Sequence, residues 1–138
     1  MTQQVVTVFH ATPKGNGSKI ERKGWIVNDI PTVGDVYGRG IYFWDLIEDA
    51  HTYGRMYLKG NYDIVAENIP LVDGHYTFYD HNKRNIGDAD QFSQSLIRQG
   101  IYCLIINRAY MDYSTMIAEG RAYVWLVDIN KKSIQIKF

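Results

Sequence analysis

Tyr42 and Tyr53 stand eleven residues apart on either side of a glycine-led apolar run, Gly38-Arg39-Gly40-Ile41-Tyr42-Phe43-Trp44-Asp45, continued by Glu48-Asp49-Ala50-His51-Thr52-Tyr53-Gly54. Glycines on both sides of Arg39 allow a tight turn or a close backbone approach to a ligand, and the apolar residues after them predict a short buried strand. A helix beginning near Asp45 would return Tyr53 toward Tyr42, so that two phenol rings become the walls of one slot. Such a slot suits a flat, uncharged aromatic amide. A third group is His10, at the end of the apolar stretch Val5 to Phe9 and followed by the small residues Ala11 and Thr12, where a side chain is well placed for a ligand. These positions would bring one imidazole and two phenols to a single cleft.

The elements that must hold these groups follow from local pattern. Val5-Val6-Thr7-Val8-Phe9 reads as a first strand, rich in β-branched residues. Pro13 to Ser18 is a loop, and Ser18 is placed to cap a short helix over residues 19–23 that Gly24 ends. Residues 25–37 are irregular, broken by Pro31, Gly34 and Asp35, and predict a surface loop able to lie over a pocket. A helix is expected over 46–58 with Asp45 as its cap and Glu48 and Asp49 in the first turn, where negative charge is favoured. Residues 62–69 predict a strand, and the polar, aromatic stretch 73–87 has no clear period. The clearest helix runs from Asp88, its cap, to Gly100, with Ala89, Phe92, Leu96 and Ile97 on one face that reads as core. A strand over 101–106, a loop over 107–121 carrying Tyr110, Tyr113 and Glu119, and two closing strands over 123–127 and 133–138 joined by a turn complete the chain. Short strands in mixed order with two or three helices imply an α+β fold with a largely antiparallel, split β-sheet.

Composition narrows the function classes. With 138 residues, 46% of them apolar, the chain is read as a single domain, 1–138, large enough for a real core. Zero formal net charge argues against sustained binding along a phosphate backbone. No run approaches the length of a membrane span, and the start Met1-Thr2-Gln3-Gln4 has no basic, apolar export pattern, so a cytoplasmic protein without a membrane partner is expected. Cys103, the single cysteine, lies in the apolar run over 101–106 and reads as a buried structural thiol. The histidines His10, His51, His75 and His81 show no metal spacing, and no phosphate-binding P-loop, complete dinucleotide fingerprint, H-E-x-x-H or G-x-S-x-G is present. No metal is expected.

His10-Ala11-Thr12 with Asn16, Ile20 and Gly24, then Gly38 to Asp45, then Ala50-His51-Thr52-Tyr53, together resemble the catalytic domain of poly(ADP-ribose) polymerases and related diphtheria-toxin-like ADP-ribosyltransferases. The family pattern is similar to H-G-[ST] with a following Asn, I-x-x-x-G, G-[KR]-G-I-Y-F-A-D and S-A-x-Y. The resemblance covers residues 5–55 well and the C-terminal strands weakly. It implies an ADP-ribosyltransferase-like fold and NAD as co-substrate. By that resemblance His10 contacts the adenosine-side ribose, the peptide groups of Ala11 clasp the nicotinamide carboxamide, and Tyr42 and Tyr53 sandwich the ring. Thr12, Asn16 and the loop over 25–37 face the adenosine and diphosphate, with Arg39 as a phosphate contact.

The implied reaction breaks the bond between nicotinamide and ribose and passes ADP-ribose to a macromolecular acceptor, protein in preference to nucleic acid, through an oxocarbenium-like transition state. Three of the departures from the pattern bear on the proposed chemistry. Ala11 replaces the usual glycine, which a negative φ would permit. Ala50 replaces a serine whose hydroxyl binds the carboxamide, a loss of about 0.5–1.5 kcal/mol. Ala122 stands where chain-forming members have a glutamate, so chain elongation is not expected. The reactive set would then be His10, Tyr42 and Glu119, three residues before Ala122, with a solvated loop glutamate as the other reading of Glu119. Two functions follow: a mono-ADP-ribosyltransferase, or its variant that hands ADP-ribose to water, and a non-catalytic module that keeps the NAD or ADP-ribose slot. So compact a domain suits a bacterial or phage toxin, effector or counter-defence protein, or one delivered into a host cell, as well as a fragment of a larger enzyme.

Overall fold

The structure, a computed structural model, describes residues 3–27, 36–80, 87–111, 116–127 and 134–136. Along the chain it forms β1 (Gln3–Pro13), α1 (Asn16–Lys23), β2 (Ile41–Trp44), α2 (Ile47–Tyr57), β3 (Tyr62–Val72), β4 (Tyr76–Asp80), α3 (Ala89–Arg98), β5 (Cys103–Asn107), β6 (Arg121–Trp125) and β7 (Ile134–Ile136). The strands build a seven-stranded sheet in the order β4-β5-β6-β2-β1-β3-β7, antiparallel except between β4 and β5. The α+β class, the mostly antiparallel sheet and three helices agree with the sequence reading.

The two sides of this sheet are made by strand alternation. Phe9, Ala11, Tyr42, Trp44, Ile64, Leu104, Ile106, Ala122 and Val124 pack in one core cluster, together with Ala50 of α2 and with Phe92, Leu96 and Ile97 of α3. Val8, Ile41, Phe43, Val65, Ile69, Cys103, Ile105 and Tyr123 form the other, against Trp25 and Ile20 of α1. The helices therefore divide, with α2 and α3 on the first side and α1 on the second. For a strand residue the choice of side is fixed by its parity, because successive side chains point to opposite faces.

The sheet has a weak seam. β1 and β3 pair over eleven consecutive residues, from Gln3↔Val72 to Pro13↔Tyr62. β1 and β2 share a single rung, Phe9↔Trp44. The sheet is therefore not split as expected but continuous, and its halves, β4-β5-β6-β2 and β1-β3-β7, meet at that rung.

Several local expectations are corrected. β6 and β7 do not form a closing hairpin: β6 lies between β5 and β2, while β7 pairs with β3 at the far edge. The stretch over 76–80, which shows no period, forms a parallel edge strand beside β5. Asp45 does not cap α2. Its carboxylate accepts the Arg121 N–H at 2.8 Å, its own N–H donates to the Arg121 carbonyl at 3.0 Å, and Leu46 is the residue at the cap. α1 begins at Asn16 behind a left-handed Gly15 (φ 91°), so Ser18 lies inside it. Trp25 is not a surface residue but 2% exposed. Residues 28–35 of the expected covering loop, and Tyr113 and His81, lie outside the described residues. α3 keeps its expected cap, with the Asp88 carboxylate accepting the Gln91 N–H at 3.0 Å. Cys103 is buried as expected, and burial pushes its thiol up to about 12, which leaves it unreactive as a nucleophile.

The Gly-Arg-Gly turn into β2 has a packing reason. Gly38 has φ 104°, and a Cβ there would meet Ala89 O and the Ser93 side chain at 2.5 Å, so α3 sits directly on it. At Gly40 a Cβ would stand 2.7 Å from Val124 Cγ1 and 2.9 Å from Trp125 O. Together the two glycines bring the turn against α3 and β6 and set where Tyr42 begins.

Candidate functional site

The site begins at the seam. Pro13 is opposite Tyr62, so Lys14 is opposite Asn61, and the Lys14 N–H donates to the Asn61 carbonyl at 3.3 Å. In an antiparallel ladder such hydrogen-bonded pairs alternate, so Thr12, His10 and Val8 turn their peptide groups toward β3. Phe9 and Ala11 turn theirs the other way, toward β2. Phe9 meets Trp44 there, and the next rung would be Ala11 with Tyr42. That rung is not made. Among the described residues the Ala11 N–H and C=O have no strand partner on the β2 side, although Ala11 is 5% exposed. A peptide group turned toward β2 beyond the last rung has the donor–acceptor pattern that matches the hydrogen-bonding edge of a primary carboxamide.

What replaces the rung on the β2 side is the His10 ring. Its Nδ1 lies 2.6 Å from the Tyr42 carbonyl. A carbonyl only accepts, so Nδ1 carries the proton and Nε2 of the neutral ring remains an acceptor, suited to a ligand hydroxyl. Burial holds the His10 pKa below its ordinary 6.5, the bond to Tyr42 opposing this only in part. The ring is fixed edge-on by Trp25 at 5.1 Å and by Phe43 at 5.9 Å between centroids.

His10 lines a cavity of about 420 Å3 on the α1 side of the sheet, within the usual range for small-molecule pockets. Thr12 and Asn16 line it too, and the Asn16 amide donates to the Thr12 hydroxyl at 2.9 Å. Lys19, Ile20 and Lys23 of α1, then Gly24, Trp25 and Ile26, then Gly40 and Ile41, complete the wall.

Tyr42 and Tyr53 are on the other side. Tyr42, Ala50 and Tyr53 belong to the cluster under α2 and α3. The Tyr42 hydroxyl donates to the Gly38 carbonyl at 2.7 Å and accepts the Tyr37 N–H at 2.8 Å, which fixes the ring against the glycine turn. Tyr53 lies in an aromatic row, 6.3 Å from Trp44 and 5.0 Å from Tyr57. The single cleft expected to hold His10, Tyr42 and Tyr53 is therefore corrected: the imidazole and the two phenols are on opposite faces. The reason is parity, since Tyr42 shares a face with Phe9 and Ala11, and His10 shares one with Phe43. Ala11, Tyr42 and Tyr53 are not among the residues that line the cavity.

The remaining residues divide as follows. Ala11 is not among the described non-glycine residues with positive φ, which are Lys59 and Arg108, so its methyl group brings no strain. Arg39 is not free to meet a phosphate as expected: its guanidinium binds Asp90 in α3, Nε at 2.7 Å and Nη2 at 3.2 Å. Ala122 is 1% exposed and stands opposite Trp44 and Ile106. Glu119 is exposed, at the end of the loop before β6. Its N–H donates to Asp49 Oδ1 at 3.0 Å, and the Gly120 N–H donates to Asp49 Oδ2 at 2.9 Å. Asp49 is 3% exposed and directly precedes Ala50, so the loop is tied to the first turn of the helix that carries Ala50 and Tyr53.

Lys19 and Lys23 were not singled out by sequence reasoning, and Trp25 entered it only as the start of the covering loop. For the lysines a signal exists: Asn16, Lys19, Ile20 and Lys23 repeat at i, i+3, i+4 and i+7, one face of α1. Trp25 sits in an irregular stretch with no period to reveal its burial.

Scanned against models of known protein families and against curated proteins, the chain matches none.

Proposed function

We propose that the chain has an ADP-ribosyltransferase-like fold and acts as an NAD-dependent mono-ADP-ribosyltransferase. The observation that carries this reading is the missing Ala11–Tyr42 rung beside the single Phe9–Trp44 pair, between an imidazole on one face and two phenols on the other. NAD would pass through the seam. Its carboxamide takes the Ala11 peptide groups, its nicotinamide ring lies toward Tyr42 and Tyr53, and its adenosine half lies in the His10 cavity, with Nε2 accepting from a ribose hydroxyl.

In the reaction the C–N bond between ribose and nicotinamide breaks and its electron pair leaves with the neutral nicotinamide. The acceptor nucleophile bonds to the anomeric carbon, and its proton passes to a base. A carboxylate near the ribose lowers the energy of the oxocarbenium-like transition state. Glu119 is our candidate, supported by its anchoring through Asp49 next to Ala50. The acceptor is a macromolecule, a protein in preference to a nucleic acid. Among the described residues no helix is long and apolar enough to cross a membrane.

A second reading is favoured by one rung. The resembled pattern has a small residue at the position of Trp44 and a glutamate at that of Ala122; here an indole stands beside a methyl group, both buried. With that exchange the chain would bind NAD or ADP-ribose without turning it over. Incubation of the protein with NAD labelled in the adenosine half, in a cell lysate, separates the readings. Label on protein, lost in Glu119→Gln, supports the transferase; free ADP-ribose supports a glycohydrolase; intact NAD that stays bound supports the binding module; absence of binding sinks all three.

A further inference from the structure

We infer that Lys19 and Lys23 hold the phosphate groups of the nucleotide, so that the cavity beside α1 is the diphosphate end of the site; this rests on the reading of the chain as NAD-binding. The two lysines are four residues apart on α1 and line the same cavity as His10, Thr12 and Asn16. At that spacing two side chains project from one helix face, close enough for both ammonium groups to meet one diphosphate.

Two other candidates for a phosphate contact are already engaged. The start of α1 would attract an anion, but the Asp63 carboxylate occupies it, accepting the Gly15 N–H at 2.8 Å and the Gly17 N–H at 3.1 Å. Arg39 is bound to Asp90. Lys19 and Lys23 are exposed, and among the described residues neither has an ion pair. The rest of the cavity matches the other parts of a nucleoside diphosphate. His10 and the Thr12–Asn16 pair offer acceptors and donors to ribose hydroxyls, and Trp25 and Ile26 offer apolar wall to a base. A neutral sugar would leave the lysines unused, and a bare inorganic anion would leave the apolar wall uncovered.

The test is calorimetric titration of the full chain with ADP, ADP-ribose and nicotinamide at low and moderate salt. In the double variant Lys19→Ala/Lys23→Ala, ADP and ADP-ribose should bind about ten- to a hundredfold more weakly. Their salt dependence should flatten, and nicotinamide affinity should hold within about twofold. Lys19→Arg/Lys23→Arg should keep most of the affinity. Arg22→Ala removes the same charge from the same helix at a position that does not line the cavity, and should leave ADP-ribose binding unchanged. Unchanged ADP-ribose affinity in the double alanine variant, an equal loss in Arg22→Ala, or a wild-type chain that binds no ADP would each overturn the inference. Binding of ADP, lost in the double variant, without any binding of nicotinamide would support the lysines as phosphate contacts while refuting the NAD reading.

Discussion

At the residue scale the most constrained group is His10. One nitrogen is committed to the Tyr42 carbonyl, the ring is held between Trp25 and Phe43, and burial disfavours its charged form. A histidine whose pKa is lowered in the fold binds fewer protons there than in the unfolded chain. The stabilising preference for the neutral ring is therefore complete above the unfolded value of 6.5 and is lost as pH falls from there through the lowered value. Thermal denaturation between about pH 7.5 and 5 should show a loss of stability that is smaller in His10→Asn, relative to its own stability at the upper pH. Protonation also removes the Nε2 acceptor, so ADP-ribose binding should weaken over the same range in the wild type and not in the variant. Parallel acid profiles of the two chains would show that His10 is not the titrating group.

At the element scale the stable connection is between α2 and the loop before β6. Asp45 and Asp49 reach from the start of α2 to Arg121, Glu119 and Gly120, so a helix chosen by the sequence near position 46 also sets the start of β6. Gly120 leaves no room there, since a Cβ would meet the Asp45 carboxylate and stand 2.7 Å from Leu46 Cγ. Asp49→Ala strands two N–H groups, at a cost of about 1.5–3 kcal/mol for each bond to a charged acceptor. Chemical denaturation should show that loss, reduced in Asp49→Asn, which keeps one acceptor. If Glu119 is the working carboxylate, Asp49→Asn should lower turnover more than NAD affinity; equal stability of Asp49→Ala and wild type would remove the clamp. The helices and the β-branched strands were legible because their periods are local: α3 showed its cap and apolar face, and β1, β3, β5 and β6 showed their apolar runs. β4 was not, because Tyr76-Thr77-Phe78-Tyr79-Asp80 lies at a sheet edge with each residue half-buried or exposed, where burial imposes little pattern.

At the scale of the whole molecule, two half-sheets meet at Phe9 and Trp44, and the proposed ligand path is the gap beside that rung. The sequence could not reveal which face each site residue takes, because parity becomes a face only when strand register is known. His10 and Tyr42, expected in a single cleft, lie on opposite faces beside the β1–β2 rung. The strand order likewise depends on non-local pairing, which is why β6 and β7 were expected to be neighbours. Arg39 was misread for a similar reason, since its partner Asp90 lies 51 residues away.

The most direct measurement is of the Ala11 amide by NMR during titration with nicotinamide. If the open rung binds the carboxamide, the Ala11 N–H shifts strongly and its hydrogen exchange slows on binding, with smaller changes at Tyr42 and Tyr53. Saturating nicotinamide that leaves the Ala11 amide unshifted and its exchange unchanged would contradict the assignment of this seam as the NAD site.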